Sequence, residues 1–135
     1  MATPKFITAK ELFERKGTPV DWIVDRLIAS GTLTLLLSSP KVGKTTFNLH
    51  MCKAILEGTR FIGLNTSKRD VVYLTEEGSI TFQKALLDAG LDKRSDFHLL
   101  LYQEAFGLPW DELVGYVELA AIAKKALLII DTLPQ

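Results

Sequence analysis

The stretch that decides the fold reads S-S-P-K-V-G-K-T-T and occupies residues 38–46. The apolar run at residues 33–37 comes directly before it and predicts a strand, and a helical pattern follows from Lys44 to about Glu57. A strand, a tight loop and a helix in this order are the context of a phosphate-binding loop. Backbone N–H groups in such a loop surround phosphate oxygens, and the helix start adds unpaired N–H groups and the positive end of the helix dipole.

Three residues of this stretch have a specific chemical role in such a loop. Gly43 has no Cβ, so the backbone can approach a phosphate closely. Lys44 places a positive charge between the outer phosphates of a nucleotide, and the Thr45 hydroxyl can coordinate the Mg²⁺ that accompanies them. The alternative is a chance G-K-T at a helix start, with Lys44 in solvent. We predict that the nucleotide contacts Ser39, Pro40, Lys41, Val42, Gly43, Lys44, Thr45 and Thr46.

The loop departs from the usual G-x-x-x-x-G-K-[ST] pattern at its first position, where Ser38 stands in place of glycine. Serine tolerates fewer backbone conformations than glycine, so the loop entry must use ordinary backbone angles. Pro40 helps, because it fixes its own φ and favours an extended conformation at Ser39. Lys41 could reach a phosphate or remain in solvent.

The composition is typical of a soluble globular protein. The chain has 135 residues, of which 47% are hydrophobic, and this is enough for one domain with a core. Its 16 basic and 16 acidic residues cancel, which removes any global electrostatic argument for binding nucleic acid. The single cysteine, Cys52, cannot form an internal disulfide, and we expect a small core residue there. The sequence shows neither a signal-peptide pattern nor an apolar run of about 20 residues, so we expect a cytoplasmic protein without a membrane partner.

Apolar periodicity predicts strands that alternate with helices. The first prediction is a helix that begins at Thr18-Pro19 and carries an apolar stripe to Ile28, with Gly31 as its end. Strands separated by helices of this length form a parallel sheet with helices on both faces. We therefore predict an α/β fold in which ligands bind at the carboxyl ends of the strands. The further predicted elements are strands at 33–37, 71–74, 97–102 and 127–130 and helices at 44–57, at 79–89 and from Pro109 onward.

Acidic residues follow two of these predicted strands. Asp131 comes after four large aliphatic residues, which is the form of a Walker B strand, and its carboxylate can accept hydrogen bonds from Mg²⁺-bound water beside Thr45. Glu76 and Glu77 follow an earlier strand, and one of them can orient an attacking water. The alternatives are a strand-end Asp that caps a turn and an acidic turn in solvent. Because the carboxyl ends of parallel strands lie at one edge of a sheet, we expect the loop, the acidic pair and Asp131 to meet there.

The order of these motifs resembles the RecA-like ATPases. The residues that carry the resemblance are P-K-V-G-K-T-T at 40–46, V-V-Y-L-T-E-E-G at 71–78 and L-L-I-I-D-T at 127–132. The chain looks most similar to the branch of RepA-type plasmid helicases and related phage or plasmid AAA-type proteins. This resemblance implies a RecA-like P-loop NTPase fold, ATP and Mg²⁺ as ligands, and ATP hydrolysis coupled to DNA replication or remodelling. It also implies a homo-oligomeric ring, and it assigns Glu77 and Lys44 to catalysis and Thr45 and Asp131 to the metal ion.

The resemblance, which covers about residues 20–133, also implies a domain organisation. Residues 1–30 would be a lead-in with one amphipathic helix, and residues 31–135 would be the N-terminal part of a RecA-like domain. Members of that family continue with further strands, one of which lies between the Walker A and Walker B strands. We therefore expect this chain to hold an incomplete form of the domain.

Three other functions stay open at the level of sequence. A nucleotide-gated binding module would hold ATP with little turnover, and it becomes the better interpretation if Glu77 points away from the site. A partition-type ATPase also fits K-V-G-K-T-T, but such proteins carry a signature Lys where this chain has Ser39 and Asp residues where it has Glu76 and Glu77. A small-molecule kinase would need an acceptor-binding cluster and a lid, which the sequence does not show.

Overall fold

The computed structural model describes residues 3–17, 19–36, 39, 42–105 and 107–131. A short 3₁₀ turn, Tyr102–Glu104, follows the strand that ends at Leu101. None of the helices in these ranges has both the length and the hydropathy to cross a membrane. The helices are α1 (Ala9–Glu14), α2 (Lys44–Glu57), α3 (Ser79–Ala89) and α4 (Trp110–Lys124), and the strands are β1 (Trp22–Val24), β2 (Ile28–Ala29), β3 (Val71–Thr75), β4 (Phe97–Leu101) and β5 (Leu127–Asp131).

A parallel sheet of three strands, in the order β4-β3-β5, forms the centre of the fold. The middle strand, β3, pairs along its whole length with both neighbours, so that Thr75 lies opposite Leu101 on one side and opposite Asp131 on the other. All five residues of β3 are buried, which suits its β-branched and aromatic side chains. The carboxyl ends of β3 and β5 therefore lie side by side.

Helices cover both faces of this sheet, as the sequence predicts. One face packs against α2 and α3 and includes Val71 and Tyr73 of β3, and the other packs against α4 and includes Val72 and Leu74. Along the chain β4 follows β3 and pairs with one of its edges, and β5 then pairs with the opposite edge of β3. Because crossovers between parallel strands share one hand, the two connecting helices fall on opposite faces.

The predicted ends of α2 and α3 are confirmed. Gly58 follows α2 and Gly90 follows α3, and both have a positive φ, at 68° and 74°. The N–H group of each glycine donates to carbonyls of the preceding helix turn, which is the usual reason for glycine at this position. Ser79 is the first residue of α3, as predicted, and Gly78 takes the cap position.

The predicted helix from Thr18-Pro19 to Ile28 is wrong. Residues 22–29 form an antiparallel hairpin instead, in which β1 pairs with β2. Ile23 and Val24 suit either structure in so short a window, because β-branched side chains also favour strands. Thr18 itself lies outside the described residues.

Backbone hydrogen bonds to residues that are distant in sequence stabilise the hairpin. The Asp25 N–H donates to the Asn65 carbonyl at 2.9 Å, and the Ser67 N–H donates to the Ile23 carbonyl at 2.8 Å. These bonds fasten the hairpin to the segment between α2 and β3. A helix at this place would use its backbone groups internally, so it could not make these contacts.

The predicted strand at 33–37 is also wrong for its described part, residues 33–36. These residues have no regular structure, and Leu33 is 95% exposed. An apolar run becomes a strand only where a neighbouring strand accepts its backbone hydrogen bonds. Among the residues that the structure describes, no strand pairs with this run. Leu37 lies outside the described residues.

Candidate functional site

The candidate site begins at the N-terminus of α2, where Gly43 takes the cap position. Its φ of 88° and ψ of 25° lie in the left-handed region, which glycine adopts without a steric penalty. The Gly43 carbonyl accepts a helical hydrogen bond from the Phe47 N–H at 2.9 Å. In any α-helix the N–H groups of the first turn lack helical acceptors, and the dipole adds partial positive charge. The start of α2 therefore suits an anion.

Thr45 lies between two carboxylates that come from other elements. Its Oγ1 atom is 2.8 Å from Oε1 of Glu77 and 3.0 Å from Oδ2 of Asp131, although these residues are 32 and 86 positions away in sequence. One hydroxyl carries one proton, so Thr45 donates to one carboxylate at a time. The structure thus brings the helix after the loop, one acid of the pair and Asp131 to the sheet edge at which we expect them.

The turn after β3 directs Glu77, rather than Glu76, toward Thr45. The Glu77 N–H donates to the hydroxyl of Thr75 at 3.1 Å, which fixes the turn directly after the strand. Thr75 is fully buried, so this hydroxyl has a firm position. Glu76 contributes its backbone carbonyl instead, which accepts from the Gln103 amide at 3.4 Å.

Asp131 is the buried end of the site, with 2% of its surface exposed. A buried carboxylate needs hydrogen-bond donors that replace the lost water. The Tyr73 hydroxyl donates to its Oδ2 atom at 2.6 Å, and Thr45 reaches the same oxygen. Burial is the main reason why the pKa of Tyr73 lies above its ordinary value, and the negative charge of Asp131 raises it further. A hydrogen bond with the Asn48 side chain lowers this pKa. The phenol therefore keeps its proton and acts as a donor.

The other residues of the predicted phosphate-binding stretch lie nearer to the surface. Ser39, Val42 and Thr46 are exposed, whereas Lys44 and Thr45 are partly buried. Within the described part of the chain Lys44 makes no ion pair, so its ammonium group is available to an anion. The remaining residues of the stretch, Ser38, Pro40 and Lys41, lie outside the described residues.

The donor atoms suit a small, hard cation beside an anion. Thr45, Glu77 and Asp131 supply hydroxyl and carboxylate oxygens, which are the ligands that Mg²⁺ prefers. The start of α2 supplies N–H groups for phosphate oxygens. Nowhere in the described ranges, including this site, could three or more His, Cys, Asp or Glu side chains together hold a metal ion. The residues present therefore fit a Mg²⁺ that is shared with phosphates better than a metal held by protein ligands alone.

Two residues that build this geometry are missing from the sequence prediction. Tyr73 and Thr75 lie on β3 in alternation with Val72 and Leu74, which places both hydroxyls on the face covered by α2. A signal for them exists in the sequence, because hydroxyls in a strand that is buried on both faces need partners. The identity of those partners depends on the sheet register, which the sequence pattern does not give.

Other reactive side chains lie elsewhere or have structural partners. Cys52 is buried, as the sequence predicts, and burial raises the pKa of its thiol above the ordinary value. The Nε2 atom of His98 is 3.0 Å from the carboxylate of Asp70. Asp70 directly precedes β3, so this pair lies at the end of the sheet away from Thr45.

One comparison with known proteins agrees with this picture. A family model described as an AAA domain matches residues 3–135, which is nearly the whole chain. A search of curated proteins found no match, and a search of solved structures found none either. The parallel sheet with helices on both faces is consistent with the α/β P-loop NTPase fold that the sequence predicts.

Proposed function

Because the chain belongs to the AAA domain family, we propose that it binds ATP and hydrolyses it in the presence of Mg²⁺. The family membership by itself supports an ATPase-type nucleotide-binding function. The observation that carries the more specific proposal is the convergence of Glu77 and Asp131 on one hydroxyl, with both carboxylates within 3.0 Å of Thr45 Oγ1. These groups stand at the N-terminus of the helix that follows the phosphate-binding stretch.

In the proposed reaction water attacks the γ-phosphorus of ATP, and the bond to the bridging oxygen of ADP breaks. Glu77 orients the attacking water and accepts its proton. Lys44 and the N–H groups at the start of α2 stabilise the negative charge on the phosphate oxygens. Thr45 and Asp131 would hold Mg²⁺, which would neutralise phosphate charge. The described residues proposed to contact the nucleotide are Ser39, Val42, Gly43, Lys44, Thr45 and Thr46. Pro40 and Lys41 belong to the same proposed set and lie outside the described residues.

The direction of the Glu77 side chain supports hydrolysis over a nucleotide-gated binding module. A module of that kind has no use for a carboxylate beside the metal ligand, and it is the better interpretation when Glu77 points away. Here the carboxylate of Glu77 contacts the hydroxyl of Thr45 at 2.8 Å. This contact places the Glu77 carboxylate beside a residue that would hold Mg²⁺, where it could accept a proton from a water at the same site.

A coupling of turnover to DNA is part of the same proposal. It rests on the sequence resemblance to RepA-type helicases, which suggests a helicase or loader that works as a ring of identical copies in the cytoplasm. Resemblance at this level is an analogy, because one fold serves many functions. The zero net charge of the chain adds no electrostatic argument for a nucleic-acid partner.

The experiment that tests the proposal measures phosphate release from ATP by the purified protein at several Mg²⁺ concentrations. Wild type, Glu77→Gln and Glu76→Gln are compared, each with and without single-stranded DNA. Loss of a group that orients and deprotonates water typically lowers turnover by about 10²–10⁴-fold. We therefore expect Glu77→Gln to bind ATP normally and to keep at most about 1% of wild-type turnover.

Glu76→Gln is the matched control, because it makes the same chemical change one residue away. It should keep most of the turnover, since Glu76 contributes a backbone carbonyl that the substitution leaves in place. Equal turnover in wild type and Glu77→Gln would contradict the role of Glu77. ATP binding without turnover in any of the proteins would favour the binding module. A rate that does not change with DNA would count against the helicase or loader part.

A further inference from the structure

Tyr73 carries a hydroxyl group in the middle of the core. The residue is fully buried, and its ring packs against Phe82 and Phe97 with centroid distances of 5.5 Å and 5.7 Å. A phenylalanine would fill the same space, so packing alone does not account for the hydroxyl. A buried hydroxyl needs a hydrogen-bond partner, and here that partner is the carboxylate of Asp131 at 2.6 Å.

The sheet register makes this contact a fixed feature of the fold. Tyr73 lies opposite Ile129 on β5, and Asp131 follows two residues later on the same strand. Residues two apart in a strand share a face, so the tyrosine and the carboxylate both lie on the face covered by α2. The register therefore places the hydroxyl beside the carboxylate.

We propose that Tyr73 is a positioning residue for the metal site, and that its hydroxyl holds Asp131 with Oδ2 toward the Thr45 hydroxyl. This rests on the proposed function, because Asp131 and Thr45 are the residues proposed to hold Mg²⁺. Tyr73 contacts neither nucleotide nor metal and acts through Asp131. Outer hydrogen bonds of this kind orient the groups that surround a metal ion and tune its affinity.

The variant Tyr73→Phe tests the inference, because it removes the hydroxyl and keeps the ring. The readout is the binding of Mn²⁺, a paramagnetic substitute for Mg²⁺, to the protein in complex with a non-hydrolysable ATP analogue. Electron paramagnetic resonance of free Mn²⁺ gives the affinity. Loss of an outer hydrogen-bond partner weakens metal binding by about 10–100-fold, so we expect about tenfold weaker Mn²⁺ binding. The affinity for the nucleotide analogue without metal should stay at the wild-type value.

Phe97→Leu is the matched control, because it loosens the packing around Tyr73 and keeps the hydroxyl. It should bind Mn²⁺ as wild type does, with circular dichroism as the check that all proteins are folded. If folded Tyr73→Phe binds Mn²⁺ with wild-type affinity, the role of Tyr73 is overturned and the proposed function is not affected. Equal weakening in Phe97→Leu also overturns it, since packing would then be the cause. If wild type binds no Mn²⁺ with the nucleotide analogue, the proposed function fails as well.

A second measurement needs no substitution. The chain has three tyrosines, and Tyr102 and Tyr116 are 40% and 60% exposed, so Tyr73 is the buried one. In protein labelled with carbon-13 at the tyrosine ring carbon that bears the hydroxyl, the resonance of the buried residue should shift when Mg²⁺ joins the nucleotide complex. The reason is that the charge of Asp131 is then shared with the metal. No shift of this resonance on Mg²⁺ addition would overturn the inference.

Discussion

Replacement of Thr45 by valine tests how much the shared hydroxyl stabilises the nucleotide-free protein. Valine keeps the β-branched shape and removes the donor that lies 2.8 Å from Glu77 and 3.0 Å from Asp131. A hydrogen bond to a charged group contributes about 1.5–3 kcal/mol. Thr45 is partly buried and donates to one carboxylate at a time, so we expect the free energy of unfolding to fall by about 1.5–2 kcal/mol.

The assay is equilibrium unfolding in urea, followed by circular dichroism in the presence of EDTA. With a denaturant slope of about 1–3 kcal/mol per molar, this loss moves the urea midpoint down by about 1 M. A second series contains Mg²⁺ and a non-hydrolysable ATP analogue. A ligand at 100 times its dissociation constant stabilises the folded state by about 2.7 kcal/mol, and Thr45→Val should gain clearly less than wild type.

Two variants control for shape and for helix propensity. Thr45→Ser keeps the hydroxyl and should unfold near the wild-type midpoint. Thr46→Val makes the same chemical change at an exposed position of the same helix turn and should leave the nucleotide-free midpoint in place. If Thr45→Val unfolds at the wild-type midpoint, or if Thr45→Ser is destabilised as much, the hydroxyl does not stabilise the carboxylates and the reasoning is wrong.

Three further predictions concern the effect of pH and the conformation of the backbone. Arg94 donates to Asp96 and holds the pKa of that carboxyl below its ordinary value. The stabilising contribution of this pair is therefore complete above about pH 4 and is lost as pH falls through the lowered folded-state pKa. The urea midpoint of Asp96→Asn should therefore fall less than that of wild type as the pH is lowered. An unchanged dependence of the midpoint on pH would contradict a stabilising role of the Arg94–Asp96 pair. Gly115 lies inside α4 with open space on the side where a Cβ would stand, so Gly115→Ala should raise the free energy of unfolding by about 0.5–1 kcal/mol. Gly43→Ala should lower the free energy of unfolding by about 1–2 kcal/mol, because Gly43 has a positive φ. Thermal unfolding should therefore give a higher midpoint for Gly115→Ala than for wild type and a lower midpoint for Gly43→Ala.

The elements that the sequence predicts correctly are those that local patterns specify. The helix from Lys44 to Glu57 follows Gly43 and ends at a second glycine, Gly58, and both glycines take a left-handed conformation. The strands β3, β4 and β5 are apolar runs between turn signals, and their parallel pairing follows from the helices between them. The apolar run at 33–36 looks the same in sequence but has no described pairing partner, so the pattern alone is not sufficient.

The parts that the sequence does not predict depend on contacts between distant residues. The hairpin exists because Asp25 and Ile23 find backbone partners near Asn65, and no periodicity within residues 18–31 contains that information. The choice between the two adjacent acids depends on the Thr75 hydroxyl, which turns Glu77 toward the helix. The rule that ligands bind at the carboxyl ends of strands correctly predicts which groups meet, but not the hydrogen bonds that orient them.

The double pairing of β3 has a consequence for the order of events during synthesis. Val71 pairs with Phe97 on one edge and with Leu127 on the other, so β4 is available to β3 well before β5 leaves the ribosome. Until then one edge of the central strand has no partner, and an unpaired edge can recruit another chain. Asp131 is the last residue of β5, so the carboxylate of the candidate site arrives with the strand that closes this edge. A nascent chain that is stalled before β5 should therefore be aggregation-prone and unable to bind Mg²⁺ with nucleotide, and both properties should change together once β5 emerges.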